Sequence, residues 1–299
     1  MNETPPILPG LTILSMIGEG GMAVVWKALD RRTGNVVAVK VLKPEFAANP
    51  MDAQNFASEA HTMSAIDHEG IVKCYGLHTF EGRIYYVMEL VDGYSFGDFI
   101  SNRHAIGEPD CLLICESVAS ALDYAWNDHG IVHCDIKPDN IMINAEGVVK
   151  ITDLGLSRTF SFLRDEQIDI PDHVMGTPAY ISPEQVYGDV ELDCRADIYS
   201  LAATLYHLAT GRVLFPNMSV EDMMRAHCNE TCQAPDPRNF CKISEGFCQL
   251  LEVMLVKNRD FRIPTWKDVF SMCMKIEKGV TFKPRPTPGA SSMALASPL

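Results

Sequence analysis

The chain has 299 residues, 47% of them hydrophobic, which suffices for a large core and reads as one two-lobed unit or two small domains. Its formal net charge is −14, from 39 acidic and 25 basic side chains, so it lacks the basic footprint of a nucleic-acid binder and no nucleic-acid partner is expected. The 10 cysteines show no zinc-finger spacing, Met1–Leu11 has neither the basic start nor the apolar core of a secretory signal, and no apolar run spans a bilayer. The expectation is a cytoplasmic protein with free thiols, compatible with a membrane tether outside this sequence.

In chain order, residues 1–10 are proline-rich and read as a loose lead-in. From Leu11 to about Val91 the pattern is strand-like: Thr12–Ile17, Val24–Ala28, Val36–Leu42 and Ile84–Leu90 alternate or run apolar. Arg31–Asn35 is a hairpin loop, and Ala53–Ile66 is the helix of this part. After Gly93 the spacing turns helical. Cys111–Asn127, Asp197–Thr210 with Gly211 as its stop, Phe247–Val256 and Lys267–Ile276 are expected helices. Within the first, Cys111 and Cys115 share a face, as Cys228 and Cys232 would further on, a spacing that means packing more often than metal binding. Residues 280–299 have the Pro, Ser and Ala content of a disordered tail.

Chemistry concentrates in His133-Cys134-Asp135-Ile136-Lys137-Pro138-Asp139-Asn140 and Asp153-Leu154-Gly155. Carboxylate and amide oxygens suit Mg²⁺, which takes one or two protein oxygens and completes its shell with phosphates. Asn140 and Asp153 can supply those oxygens, leaving Asp135 to accept a proton and Lys137 to neutralise a phosphate. Upstream, Ile17-Gly18-Glu19-Gly20-Gly21-Met22-Ala23-Val24-Val25 is glycine-rich. Gly18 and Gly20 let backbone N–H groups approach phosphate oxygens, although a lone run of this kind is most often a turn. Val37-Ala38-Val39-Lys40 is a strand ending in a lysine, a residue usually solvated there, and Glu59 taken alone is an exposed helix acid.

In this order and spacing, the segments resemble the eukaryotic-like serine/threonine protein kinase family, bacterial type. Gly176–Glu184 is similar to the segment closing that family's activation loop, Asp197–Leu201 to the start of its central helix, and Arg262 to its partner for the residue at Glu184. The resemblance covers roughly Leu11 to Gly279. It implies an α+β, bilobal protein-kinase-like fold, with a small β-rich N-lobe carrying one helix (11–91) and a larger, mostly helical C-lobe (92–279).

The resemblance implies ATP between the lobes with Mg²⁺, and Ser/Thr hydroxyls of proteins as substrates, a class suggested by Lys137 and Thr177. Ile17, Gly18, Glu19, Gly20 and Gly21 would cover the nucleotide, and Lys40, positioned by Glu59, would hold its α- and β-phosphates. Val25 and Ala38 above and Met142 below would sandwich the adenine, backbone groups of Glu89 and Val91 would bond its edge, and Met88 would guard the deeper pocket. Asp153 and Asn140 would hold the metal, with Asp135 as base and Lys137 beside it. Asp139 is a weaker candidate for contacting a basic substrate side chain.

Two departures stand out. Cys134 replaces the usual Arg that pairs with a loop phosphate, and from Phe162 to Met175 the loop has no hydroxyl residue. Ser157, Thr159 and Ser161 precede that stretch. Donor and phosphate site are missing together, so activation independent of loop phosphorylation is expected. Leu154 replaces Phe, and with Met63, Cys74 and His133 it is expected to form a stack aligning the lobes. The alternative to an active enzyme is a pseudokinase scaffold; a small-molecule kinase is a third reading. Retention of Lys40, Asp135 and Asp153 favours activity, and the Thr177–Glu184 segment with Arg262 favours protein substrates.

Overall fold

Alternation along one strand explains how the first half is built. In Val36–Leu42, residues Val37, Val39 and Val41 enter one apolar cluster with Leu8, Trp26, Tyr85 and Val87, while Ala38 and Leu42 enter another with Tyr86 and Met88. Lys40 therefore shares a face with Ala38 and Leu42, beneath the sheet, where the helix Pro50–Ser64 contributes Phe56, Ala60 and Met63. The structure, a computed structural model, describes residues 4–103, 105–154, 178–189 and 191–280.

The elements are β1 (Leu11–Glu19), β2 (Ala23–Asp30), β3 (Val36–Leu42), α1 (Pro44–Ala47), α2 (Pro50–Ser64), β4 (Cys74–Phe80) and β5 (Arg83–Glu89). An antiparallel sheet in the order β1-β2-β3-β5-β4 joins the strands. Then come β6 (Gly93–Ser95), α3 (Phe96–Arg103), α4 (Glu108–His129), β7 (Ile141–Asn144), β8 (Val149–Ile151), α5 (Pro183–Val186), α6 (Cys194–Thr210), α7 (Val220–Cys228), α8 (Glu245–Met254) and α9 (Trp266–Glu277). Strands β6, β7 and β8 form a second small sheet. None of the described helices is long and apolar enough to cross a membrane.

Caps account for where the helices differ from expectation. α2 begins at Pro50 rather than Ala53, because the Asn49 side chain accepts the Met51 N–H and Pro50 occupies the first turn. α6 starts at Cys194 because Asp193 caps Arg195 N–H, and it stops at Gly211 (φ 69°), as expected. α8 and α9 are capped by Ser244 and Thr265. β4 was not singled out from sequence: it is an edge strand whose exposed residues do not alternate.

The lead-in is not loose over its described part. Pro6 and Leu8 are buried, Leu8 against the outer face of the sheet, and Arg31 N–H donates to Gly10 O at 2.9 Å. Two apolar side chains in a proline-rich run were enough to dock it. The expected tail lies outside the described residues apart from Val280. Met63, Cys74, His133 and Leu154 are all buried, and Met63, Cys74 and Leu154 share the continuous core that runs from beneath the sheet into the helices.

Candidate active site

The turn between β1 and β2 is closed by Gly20 N–H donating to Ala23 O at 2.9 Å. Its base is tied to β3: Lys43 Nζ meets Glu19 Oε1 at 3.0 Å, and Lys43 N–H donates to Met22 O. Neither a left-handed φ nor crowding demands glycine at Gly18, Gly20 or Gly21, since a Cβ at each would meet at most ordinary contacts. The three glycines put no side chain between the turn and the cleft. They leave backbone amides approachable from the cleft.

Under this turn, Lys40 Nζ sits 2.9 Å from Glu59 Oε1 on α2 and 2.7 Å from Asp153 Oδ1 just after β8. Tyr86, opposite Lys40 on β5, donates its O–H to the same Glu59 oxygen at 2.8 Å and lies beneath the ammonium. Burial acts to pull the Lys40 ammonium down, but Asp153, Tyr86 and Glu59 hold it well above the ordinary lysine range. Burial likewise pushes Asp153 up, and Lys40 outweighs it, holding the carboxyl below the usual range. Asp153 is left-handed (φ 53°), a conformation that costs energy in a non-glycine residue and here aims its carboxylate at Lys40.

The loop bearing Asp135 is held from below. Buried Asp197, in the first turn of α6, accepts His133 N–H at 2.6 Å and Cys134 N–H at 2.8 Å. Burial pushes the Asp197 carboxyl above the usual range despite these donors. The Gln185 amide donates to Cys134 O at 2.7 Å, and these bonds hold Cys134 at φ 67°. Asp135 N–H donates to His133 Nδ1 (3.2 Å), so the His133 proton lies on Nε2, 3.1 Å from Thr152 O. Asp135 Oδ2 receives Lys137 Nζ at 2.7 Å and Asn140 Nδ2 at 3.0 Å, and the same Asn140 amide donates to Asp135 O. Burial, and then the nearby Asp197 and Asp135 carboxylates, push the Cys134 thiol above its ordinary value, which disfavours the thiolate.

These groups face one cleft of about 810 Å³, which Gly18, Glu19, Gly20, Gly21, Val25, Lys40, Glu59, Asp135, Lys137, Asn140 and Asp153 all line. Ile17, Ala38, Met88, Glu89, Val91 and Met142 are not on that lining. Ala38 and Met88 are buried cross-strand partners, Val91 packs on the same core, and Ile17 is exposed. Tyr86 and Gln185 were missed from sequence, and Asp197 was read only as the start of a helix: a tyrosine in an apolar strand and polar residues in helical turns carry no local mark of the partners they find. Arg262 does meet Glu184, through two parallel bonds of 2.6 and 3.0 Å, with side chains 0% and 5% exposed. Thr177 and the Ser157–Met175 loop lie outside the described residues.

Residues 11–273 match the protein kinase domain family model. The chain belongs to the protein kinase domain family. It is 34% identical over 267 residues to the probable serine/threonine-protein kinase CPE1738 of Clostridium perfringens, a match covering 89% of this chain and 38% of that protein. It is 35% identical over 252 residues to the serine/threonine-protein kinase PknA of Mycobacterium tuberculosis, covering 83% and 56%. This kinase-family chain thus spans between about a third and just over half the length of such curated relatives. Among solved structures, a double-mutant PknI kinase domain of Mycobacterium tuberculosis superimposes with a TM-score of 0.72 at 22% identity, covering 92% of this chain and 99% of that one. Rad53 in complex with AMP-PNP gives 0.71 at 27% identity, covering 88% and 64%. The two-part α+β kinase fold expected from sequence is the one observed.

Proposed function

We propose that this protein is an ATP-dependent serine/threonine protein kinase of bacterial type. The observation that carries the reading is convergence: Lys40, Glu59, Asp135, Asn140 and Asp153, from segments as far as 113 residues apart, face one cleft below a glycine-rich turn. Lys40 is placed to bind the α- and β-phosphates, with Glu59 and Tyr86 holding it. Asp135 orients the substrate hydroxyl and accepts its proton at a carboxylate oxygen, while Lys137 beside it offers positive charge to the transferring phosphoryl group.

The donor set fits Mg²⁺. With Asn140 Nδ2 committed to Asp135 and Asp153 Oδ1 to Lys40, an amide oxygen and a carboxylate oxygen remain. A cation held by those two protein oxygens would complete its shell from phosphates and water. When bound, it would neutralise phosphate charge. The adenine end of ATP falls to Val25, Ala38 and Met142 as the sandwich, Met88 as guard, and the connector at Glu89 and Val91. The Glu89 N–H is already donated to Lys73 O.

We infer in addition that activity does not need loop phosphorylation. Cys134 presents no cation, and its thiol lies against Val132 O. Incubation with Mg-ATP and a generic basic protein tests the main reading: the wild type transfers phosphate and Asp135→Asn does so at least about 100-fold more slowly while still binding nucleotide. A wild type that binds no magnesium nucleotide ends it. Activity abolished by phosphatase, traced to Ser157, Thr159 or Ser161, ends the second inference.

A further inference from the structure

Lys150 lies on β8, three residues before Asp153, in a strand otherwise apolar. Its side chain is only 11% exposed. The ammonium meets both Glu89 carboxylate oxygens, at 2.9 and 3.1 Å, and donates to Glu69 O at 2.8 Å. Glu89 ends β5, and Glu69 lies between α2 and β4. One cation from the second small sheet is thus clamped onto two separate pieces of the five-stranded half.

The surroundings are ordered around this contact. Glu89 Oε2 also accepts Lys73 N–H at 3.3 Å, and Glu89 N–H donates to Lys73 O at 2.8 Å. Backbone bonds from Val72 N–H to Ile151 O and from Ile151 N–H to Gly70 O join the same segment to the residue next to Lys150. The Lys73 ammonium turns outward to Asp67, 2.9 Å away.

A buried ammonium carries a desolvation cost that an apolar residue in this strand would avoid. What it secures is geometry. Asp153 lies three residues beyond Lys150, a span of at most roughly 10 Å, so the two mark the ends of a short ruler. One end lines the cleft beside Lys40, and the other holds the segment at Glu89. We propose that Lys150 is a positioning residue for the nucleotide: by gripping Glu89, it sets the adenine-binding connector at a defined distance from Asp153. Adenine and phosphates are then both referenced to β8. This deepens the kinase reading and rests on it.

The test uses the full chain and two readouts, equilibrium binding of Mg-ATP and steady-state transfer to a basic protein. Lys150→Met raises both Kd and KM for ATP about tenfold, with kcat at saturating ATP within about twofold of wild type. Lys150→Arg restores the affinity to within about threefold. Glu89→Gln weakens binding in the same way, and the double variant is no worse than either single one, because the two side chains act as a unit. Unchanged Kd and KM in Lys150→Met overturn the proposal, whatever happens to its melting temperature, since a staple that only stabilised the fold would move Tm and leave affinity alone. So does a loss confined to kcat. Should Lys150→Met fail to fold, Glu89→Gln reads the same quantity. If the wild type binds Mg-ATP but transfers no phosphate, the kinase reading fails while the binding measurement still decides this proposal. If it binds none, both fail.

Discussion

In the five-stranded half, Lys40 is held by side chains borne on other elements, Glu59 on α2 and Asp153 beyond β8. In the helical half, the Asp135 loop is held by its backbone, on buried Asp197 and Gln185 that belong to the core. The first arrangement is partly open to water and joins three separate elements through side chains alone. The second is sealed in the core. Partly solvated ion pairs contribute little stability, whereas a buried polar group deprived of its partner is costly. The difference separates what aligns the chemistry from what keeps the chain folded.

The contrast is most exposed to failure at Glu184 and Arg262, the sealed pair of the helical half. Arg262→Ala strands a buried carboxylate and should cost about 3–5 kcal/mol, read as a shift in the urea midpoint. A loss under 1 kcal/mol would mean water reaches this pair as it reaches the cleft.

Next comes Asp197→Asn. The amide can serve only one of the two loop N–H groups as acceptor, so about 1.5–3 kcal/mol should be lost in the same measurement. kcat should fall with it, because the loop carrying Asp135 loosens.

The helical half should also carry an acid sensitivity. Burial, and then the nearby Lys257, lower the pKa of His227, whose ring bonds Tyr199, to about 3. The unfolded chain takes up that proton near pH 6.5, and the folded state refuses it. Stability is therefore full above about pH 6.5 and falls as pH drops toward 3, by about 2 kcal/mol at pH 5. His227→Gln should flatten that part of the stability curve between pH 7 and 5. Superimposable slopes would place the sensitivity elsewhere.

The smallest stability effect belongs to the sheet half. Glu59→Gln should cost less than about 1 kcal/mol. It should nevertheless lower kcat/KM about 100-fold if Lys40 binds the phosphates as proposed, because Lys40 loses the carboxylate that positions it. If Glu59→Gln unfolds the protein as readily as Asp197→Asn, the distinction between the halves disappears.

By itself the sequence determined the local features: the alternating β3 strand, the glycine turn, the stop at Gly211, and the residue types that suit phosphate, metal and proton. These follow from neighbours along the chain, where periodicity and backbone freedom act. The matched family order also pairs Glu59 with Lys40 and Arg262 with Glu184, and both pairs form. Only the tertiary structure decided that Asp197 holds the backbone of the loop bearing Asp135, that Tyr86 braces Glu59, that Lys150 crosses to Glu89 and that Leu8 docks on the sheet. Each of those partners lies far away in sequence. A buried polar residue looks locally like an exposed one, and only the fold reveals which donor waits opposite.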